Sequence, residues 1–125
     1  MPGWTNEELT KMGAAAELQL ATRRRDGRLR NPVTIWAVCQ GDGVYVRSAV
    51  KGPRAAWFRG VQETREGRVW AGGVEKDVTF ENADQGIDDE VDAAYQAKYR
   101  RYAGPVLSSV LTPEARSTTV KIVPR

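Results

Sequence analysis

The chain has 125 residues, 41% hydrophobic and 28% charged, which fits a single domain spanning residues 1–125. It contains no histidine, which excludes Ser-His-Asp and Cys-His catalytic arrangements and zinc sites built on imidazole, so we predict no metal site. No apolar run approaches the roughly 20 residues that cross a bilayer, and the single cysteine, Cys39, cannot form an internal disulfide, so we predict a cytoplasmic protein without membrane contact.

The first half of the chain alternates turn signals with short apolar segments. Thr5 and Glu8 form a capping box, which predicts a short helix ending near Gly13. Pro53 is placed as the first residue of a later helix that carries Trp57. Between these helices, alternation and Gly or Asp turns predict three strands in an antiparallel meander, at residues 17–23, 29–39 and 44–48.

The second half of the chain adds a hairpin, a helix and a last strand. The hairpin is predicted at residues 68–71 and 74–81, and an acidic segment at 84–92 suits the start of a helix that Gly104 ends. A short turn or helix at 106–111 and a strand at 117–123 follow. These elements amount to about six strands and two or three helices, and the strands are grouped. The class is therefore α+β, with a small antiparallel barrel and helices packed outside it.

Charge is distributed unevenly along the chain. Residues 21–60 contain nine Lys or Arg against two Asp, whereas residues 61–97 contain three against ten Asp or Glu. Such a distribution can focus a field on an anionic ligand. It is equally compatible with two solvated faces, or with two segments that neutralise each other in space.

The basic residues cluster at three turns. The first cluster is residues 23–30 (RRRDGRLR), the second is Arg47-Ser48 at the end of the third strand, and the third is residues 51–54 (KGPR). In a meander the third strand runs parallel to the first, so the first turn and the end of the third strand lie at the same end of the sheet. Six residues are therefore predicted to share one rim: Arg25, Arg28, Arg47, Ser48, Lys51 and Arg54. Arg, Lys and Ser in this combination bind phosphate, and Trp57 is placed to stack on a planar ring. A solvated turn and a core tryptophan are the alternatives.

The segment at residues 20–57 resembles the flavin- and deazaflavin-binding split β-barrel superfamily, near the deazaflavin-dependent nitroreductases and their small bacterial relatives. The resemblance is carried by LATRRRDGRLRNPV at residues 20–33, GDGVYVRS at 41–48 and KGPRAAW at 51–57. It implies a six-stranded antiparallel split barrel with two or three peripheral helices. It also implies a homodimer whose cofactor sites lie at the subunit interface.

Roles for particular residues follow from the same resemblance. Arg24, Arg25 and Arg30 would meet the cofactor phosphate or an acidic tail. Ser48 and Lys51 would hold the phosphate, Trp57 would lie beside the ring system, and Thr34, if it faces inward, would reach the ring.

Three functions remain open at this point. The first is an oxidoreductase that uses F420 or FMN for hydride transfer to a small organic substrate, with F420 favoured because the excess of Arg and Lys suits a polyacidic tail. The second is a cofactor-free binding or interaction protein on the same fold. The third is a binder of single-stranded nucleic acid, which the acidic second half disfavours by repelling a long polyanion.

Overall fold

The computed structural model describes residues 3–49, 51–102 and 104–125. The described residues form seven strands and five α-helices. The strands are β1 (Leu18–Thr22), β2 (Val33–Ile35), β3 (Ala37–Gln40), β4 (Gly43–Val46), β5 (Glu66–Ala71), β6 (Val74–Asn82) and β7 (Val120–Pro124). The helices are α1 (Asn6–Ala14), α2 (Ala56–Thr64), α3 (Asp88–Lys98), α4 (Pro105–Ser108) and α5 (Pro113–Arg116).

The strands form one antiparallel sheet in the order β2-β1-β5-β6-β7-β4-β3. The two edge strands, β2 and β3, are separated in the chain only by Trp36. A single bent segment therefore pairs with β1 on one side and with β4 on the other, which nearly closes the sheet into a barrel. This is the predicted split barrel in an α+β fold, with seven strands rather than six.

The additional strand corrects the prediction of one continuous strand over residues 29–39. The segment instead breaks at Trp36, because its two halves must pair with opposite edges of the sheet. Residues 29–32 lie outside the regular ladder, apart from a bridge between Leu29 and Arg23.

The helix starts agree with the sequence in one case and differ in another. At α1 the Thr5 hydroxyl accepts from the Glu8 N–H at 3.1 Å, and the Glu8 carboxylate accepts from the Thr5 N–H at 2.9 Å, which confirms the capping box. Pro53, in contrast, lies in a 3₁₀ turn, Gly52–Arg54, and does not begin α2. The extended conformation of Ala55 separates that turn from α2.

Two apolar clusters cover both faces of the sheet. The barrel interior holds Val46, Val69 and Phe80, all essentially without solvent contact. Outside the barrel, α3 packs Tyr95 and Tyr99 into a second cluster with Val38, Tyr45 and others. Strands β3 and β4 are thus covered on the inside by the core and on the outside by α3.

Among the residues that the structure describes, no helix has the length and apolar character needed to cross a membrane.

Candidate functional site

A cavity of about 250 Å³ opens where the sheet bends at Trp36, and we call it the Trp57 cavity. It draws its walls from β2, from the segment after β4, from α2 and from the residues around α4. Its lining residues are Glu17, Thr34, Ile35, Trp36, Arg47, Ala49, Trp57, Val106, Ser109 and Val110. Three of the predicted site residues, Thr34, Arg47 and Trp57, therefore meet in one place.

Two tryptophans provide the flat walls of this cavity. Trp57 lies in the first turn of α2, partly buried against the barrel core, with Phe58 at its edge at a ring-centre distance of 6.0 Å. Trp36 stacks on Tyr99 with ring centres 4.0 Å apart and planes only 5° from parallel. Each indole is fixed by an aromatic neighbour, so the cavity presents two held aromatic surfaces.

Arg47 contributes to the cavity in a way that the sequence did not indicate. Its side chain has no solvent contact, and the guanidinium binds two carboxylates of α3, those of Asp88 and Asp92. Its Nη1 also donates to the Val110 carbonyl at 2.9 Å, and its Nε donates to the Thr119 hydroxyl at 2.8 Å. Arg47 therefore ties the cavity wall at Val110 to α3 and to Thr119, the residue before β7.

Ser48 is also buried, and its backbone N–H donates to the Thr118 hydroxyl at 2.8 Å. Arg47 and Ser48 are therefore buried, unlike the exposed cations of the turns. The burial of both residues comes from the C-terminal segment and α3, which cover this end of β4. Their predicted role toward a cofactor stays a prediction.

The cations of the first turn lie against the C-terminal half of α2. Arg30 donates to the Thr22 hydroxyl at 3.1 Å and lies 3.5 Å from a carboxylate oxygen of Glu63. Arg25 donates to the other oxygen of Glu63 at 2.9 Å. One carboxylate therefore holds two predicted phosphate ligands together. The close approach requires a glycine at Gly60, where a Cβ would lie 2.6 Å from the Thr22 hydroxyl oxygen and 3.1 Å from Arg30 Nη1.

Arg24 and Arg28 lie at the exposed tip of the same turn. The Arg28 carbonyl accepts from the Arg24 N–H at 2.7 Å, and the Arg28 side chain pairs with Asp26 at 3.0 Å. The hydrogen bond from the Arg28 N–H, followed by that from its side chain, lowers the pKa of Asp26. This tip is thus partly neutralised from within.

Lys51 and Arg54 lie at the opposite end of α2. Both are exposed, and neither forms an ion pair within the described part of the chain. The turn between them is close to an acid, since a Cβ on Gly52 would lie 3.2 Å from the Glu114 carboxylate. Seven residues separate Ala56 from Glu63, or roughly 10 Å along the helix. The predicted cations therefore bracket α2 and do not form one cluster.

Thr34 faces outward from β2, opposite Gln19 of β1, so the inward orientation on which its predicted contact with the ring depended is not observed. It lines both the Trp57 cavity and a more open groove of about 510 Å³, as Glu17 also does. Sequence reasoning missed Glu17, Glu63 and Val110 as parts of the site. The surplus of acid in the second half of the chain was a signal only for Glu63.

The bent sheet, closed through Trp36 and carrying a cavity lined by two tryptophans, has the split β-barrel fold. Within that class, residues 8–122 match a family described as "Uncharacterized protein conserved in bacteria (DUF2255)", and the chain belongs to this family.

Solved structures share the fold at low sequence identity. An F420-H2-dependent reductase is 19% identical, with a TM-score of 0.62 over 86% of this chain and 93% of the other. A chain described as a domain-swapped dimer is 17% identical, with a TM-score of 0.60 over 86% and 79%. A FAD-binding protein from Mesorhizobium loti is 16% identical, with a TM-score of 0.55 over 97% and 88%. No curated protein matches the chain.

Proposed function

We propose that this protein is an oxidoreductase that binds F420 or FMN with the ring system in the Trp57 cavity. The observation that carries the proposal is the meeting of Thr34, Trp36 and Trp57 around one cavity, with cations at both ends of the adjoining helix α2. Similarity in fold to an F420-H2-dependent reductase and to a FAD-binding protein supports the same cofactor class.

The residues present fit such a group in shape and charge. A volume of about 250 Å³ is near the lower limit for ligand pockets, roughly 300 Å³, so it suits a planar ring while the tail lies outside. Exposed Lys51 and Arg54 offer ammonium and guanidinium donors for an anionic tail. The excess of such cations favours F420, with its polyacidic tail, over FMN.

When bound, the cofactor would supply the hydride that is transferred to a small organic substrate. The chain itself would bind the cofactor, orient its ring and shield it from water. Trp36 and Trp57 would restrict the ring to one plane, and Thr34 would offer a hydroxyl at its edge. Val106 and Val110 would exclude water from the opposite side. Arg47 would position that wall through the Val110 carbonyl.

A homodimer belongs to the same proposal. A neighbour in fold is a domain-swapped dimer, and the superfamily resemblance implies cofactor sites at a subunit interface. Light scattering on the purified protein, coupled to size-exclusion chromatography, tests this point, and a monomeric mass would contradict it.

A cofactor-free binding protein on this fold is the second candidate. The observation that favours it is the neutralisation of predicted phosphate ligands by carboxylates, with Glu63 against Arg25 and Arg30. An anion at that position must displace Glu63, which costs part of its binding free energy.

Titration of the purified protein with F420 and with FMN, followed by cofactor fluorescence, decides between the two candidates. We expect saturable quenching that is lost when Lys51 and Arg30 are both replaced by Ala, while far-UV circular dichroism stays unchanged. The matched control is R125A, because Arg125 forms an exposed pair with Glu66 on β5. Unchanged titration curves in this double variant, or no quenching by the unmodified protein, would count against the proposed oxidoreductase.

A further inference from the structure

A second cavity, of about 240 Å³, lies between the C-terminal ends of α1 and α3. We call it the Lys98 cavity. Its lining residues are Gly13, Ala14, Ala16, Lys98, Tyr99, Arg101 and Tyr102. None of them lines the Trp57 cavity, yet Tyr99 stacks on Trp36, so this aromatic pair separates the two cavities.

Lys98 is half-buried and has no carboxylate within ion-pair distance among the described residues. Its ammonium donates to the Ala37 carbonyl at 2.6 Å and lies 5.2 Å from the centre of the Tyr99 ring. Burial lowers the pKa of Lys98. One carbonyl accepts only one of the three ammonium protons. The charge is therefore partly desolvated and lacks a counter-ion, which is unfavourable.

Most other partly buried cations form an ion pair with a carboxylate. Arg23, Arg68 and Lys76 each contact a carboxylate at 3.2 Å or less. Lys121 on β7 has no ion pair either among the residues that the structure describes, but it lines a cavity together with two acids, Asp42 and Glu81. The Lys98 cavity, in contrast, has no acidic residue in its lining.

The remaining walls add a second cation and two rings. The Arg101 guanidinium lies 5.6 Å from the Tyr102 ring centre, and no ion pair of Arg101 occurs in the described part of the chain. Lys98 is the last residue of α3 and Arg101 lies in the 3₁₀ turn at residues 100–102 that follows, and both line the cavity. The Tyr99 hydroxyl donates to the Ala16 carbonyl at 2.8 Å, and burial raises its pKa to about 12, so it stays neutral at pH 7. Tyr102 is 43% exposed, and its ring centre lies 5.4 Å from that of Trp36.

Carbonyl groups in the cavity wall limit the negative charge of a ligand that it can bind. Gly13 and Ala14 belong to the C-terminal end of α1, where carbonyl groups give a partial negative potential. A monoanion would be stabilised by the two cations, whereas a dianion would meet these carbonyls. The exposed part of the Tyr102 ring suits a flat apolar body attached to the anionic group.

We propose that the Lys98 cavity binds an aromatic monocarboxylate, with the carboxylate held by Lys98 and Arg101 and the ring packed against the exposed part of Tyr102. The geometry is independent of the Trp57 cavity, so the proposal does not rest on cofactor binding.

The test uses benzoate as the probe and observes the lysine Nζ and Cε resonances by NMR, with Lys98 assigned from its loss in K98M. We expect a saturable shift of the Lys98 resonance and a raised pKa for its ammonium. Benzamide, which has the same shape without the charge, should bind at least tenfold more weakly. Inorganic phosphate should also bind more weakly than benzoate, because it has no apolar body and carries more charge.

Two variants and one control complete the experiment. R101A, at an exposed position, should fold normally and weaken benzoate binding at least tenfold. K98M should weaken benzoate binding by the same factor, and its binding is measured by Tyr fluorescence because the Lys98 resonance is absent. K121M, which alters the other half-buried lysine without an ion pair, should leave the affinity unchanged. The proposal is overturned if benzoate gives no saturable shift, if benzamide or phosphate binds as tightly as benzoate, or if R101A binds benzoate with unchanged affinity.

Discussion

Replacement of Arg47 by Met should strongly lower the free energy of unfolding. The guanidinium contacts Asp88, Asp92, Val110 and Thr119, and its side chain has 0% solvent exposure. Removing one partner of a buried ion pair costs about 3–5 kcal/mol, because the other charge is left uncompensated.

The lower end of that range applies here, because the acids keep some contact with water. Asp88 and Asp92 are 14% and 24% exposed, and Arg116 Nε lies 3.3 Å from Asp92 although it forms no hydrogen bond there. We therefore expect R47M to lower the free energy of unfolding by about 3 kcal/mol. For a urea dependence of roughly 1.5–3 kcal/mol per molar, the midpoint falls by about 1–2 M.

Equilibrium urea unfolding, followed by tryptophan fluorescence and circular dichroism, measures this loss. The control R68M breaks the pairs of a partly buried Arg with two exposed carboxylates, Glu75 and Asp77, on the neighbouring strand and should cost less than about 1 kcal/mol. Adding D92N to R47M should restore part of the loss, since it removes an uncompensated charge. A cost for R47M as small as that for R68M would refute the reasoning.

Three further outcomes follow from single residues. Burial raises the pKa of Tyr99 to about 12 from 10. Its contribution to stability, roughly 3 kcal/mol, is therefore complete below pH 10 and is lost as the pH rises toward 12. The free energy of unfolding of Y99F, measured in urea, should fall less over this pH range than that of the unmodified protein. G67A places a Cβ 2.1 Å from the Ala21 carbonyl oxygen and should lower the melting temperature sharply, whereas G3A, with no atom within 4 Å, should not. The paired Arg68 guanidinium lowers the pKa of Asp77, so stability present above about pH 4 is lost as the pH falls through the folded value, and D77N should flatten acid unfolding curves in that range.

Elements that depend on neighbouring residues could be predicted from the sequence more accurately than the positions of the charged side chains. The capping box at Thr5 and the hairpin across Gly72 each depend on neighbouring residues, and both are present. The break at Trp36 was missed, because no Gly or Pro marks it and only the closing of the sheet requires it.

Arg47 shows why the site was harder to predict than the strands. Alternation in β4 places Arg47 on the face of Tyr45, which in a two-layer barrel would be solvent-exposed. In this protein α3 covers that face, and β4 is buried on both sides. The alternative that the basic and acidic segments neutralise each other therefore holds for Arg47 with Asp88 and Asp92.

This neutralisation determines where an anionic tail can bind with the least cost. At the C-terminal half of α2, Arg25 and Arg30 share Glu63, so a phosphate there must compete with a carboxylate already in place. At the N-terminal end, exposed Lys51 and Arg54 have no ion pair to break among the described residues. If a cofactor binds with its ring in the Trp57 cavity, the second position offers the larger gain, and K51A should weaken the titration more than R30A does. The reverse order would mean that Glu63 is displaced on binding and that the tail follows the first turn.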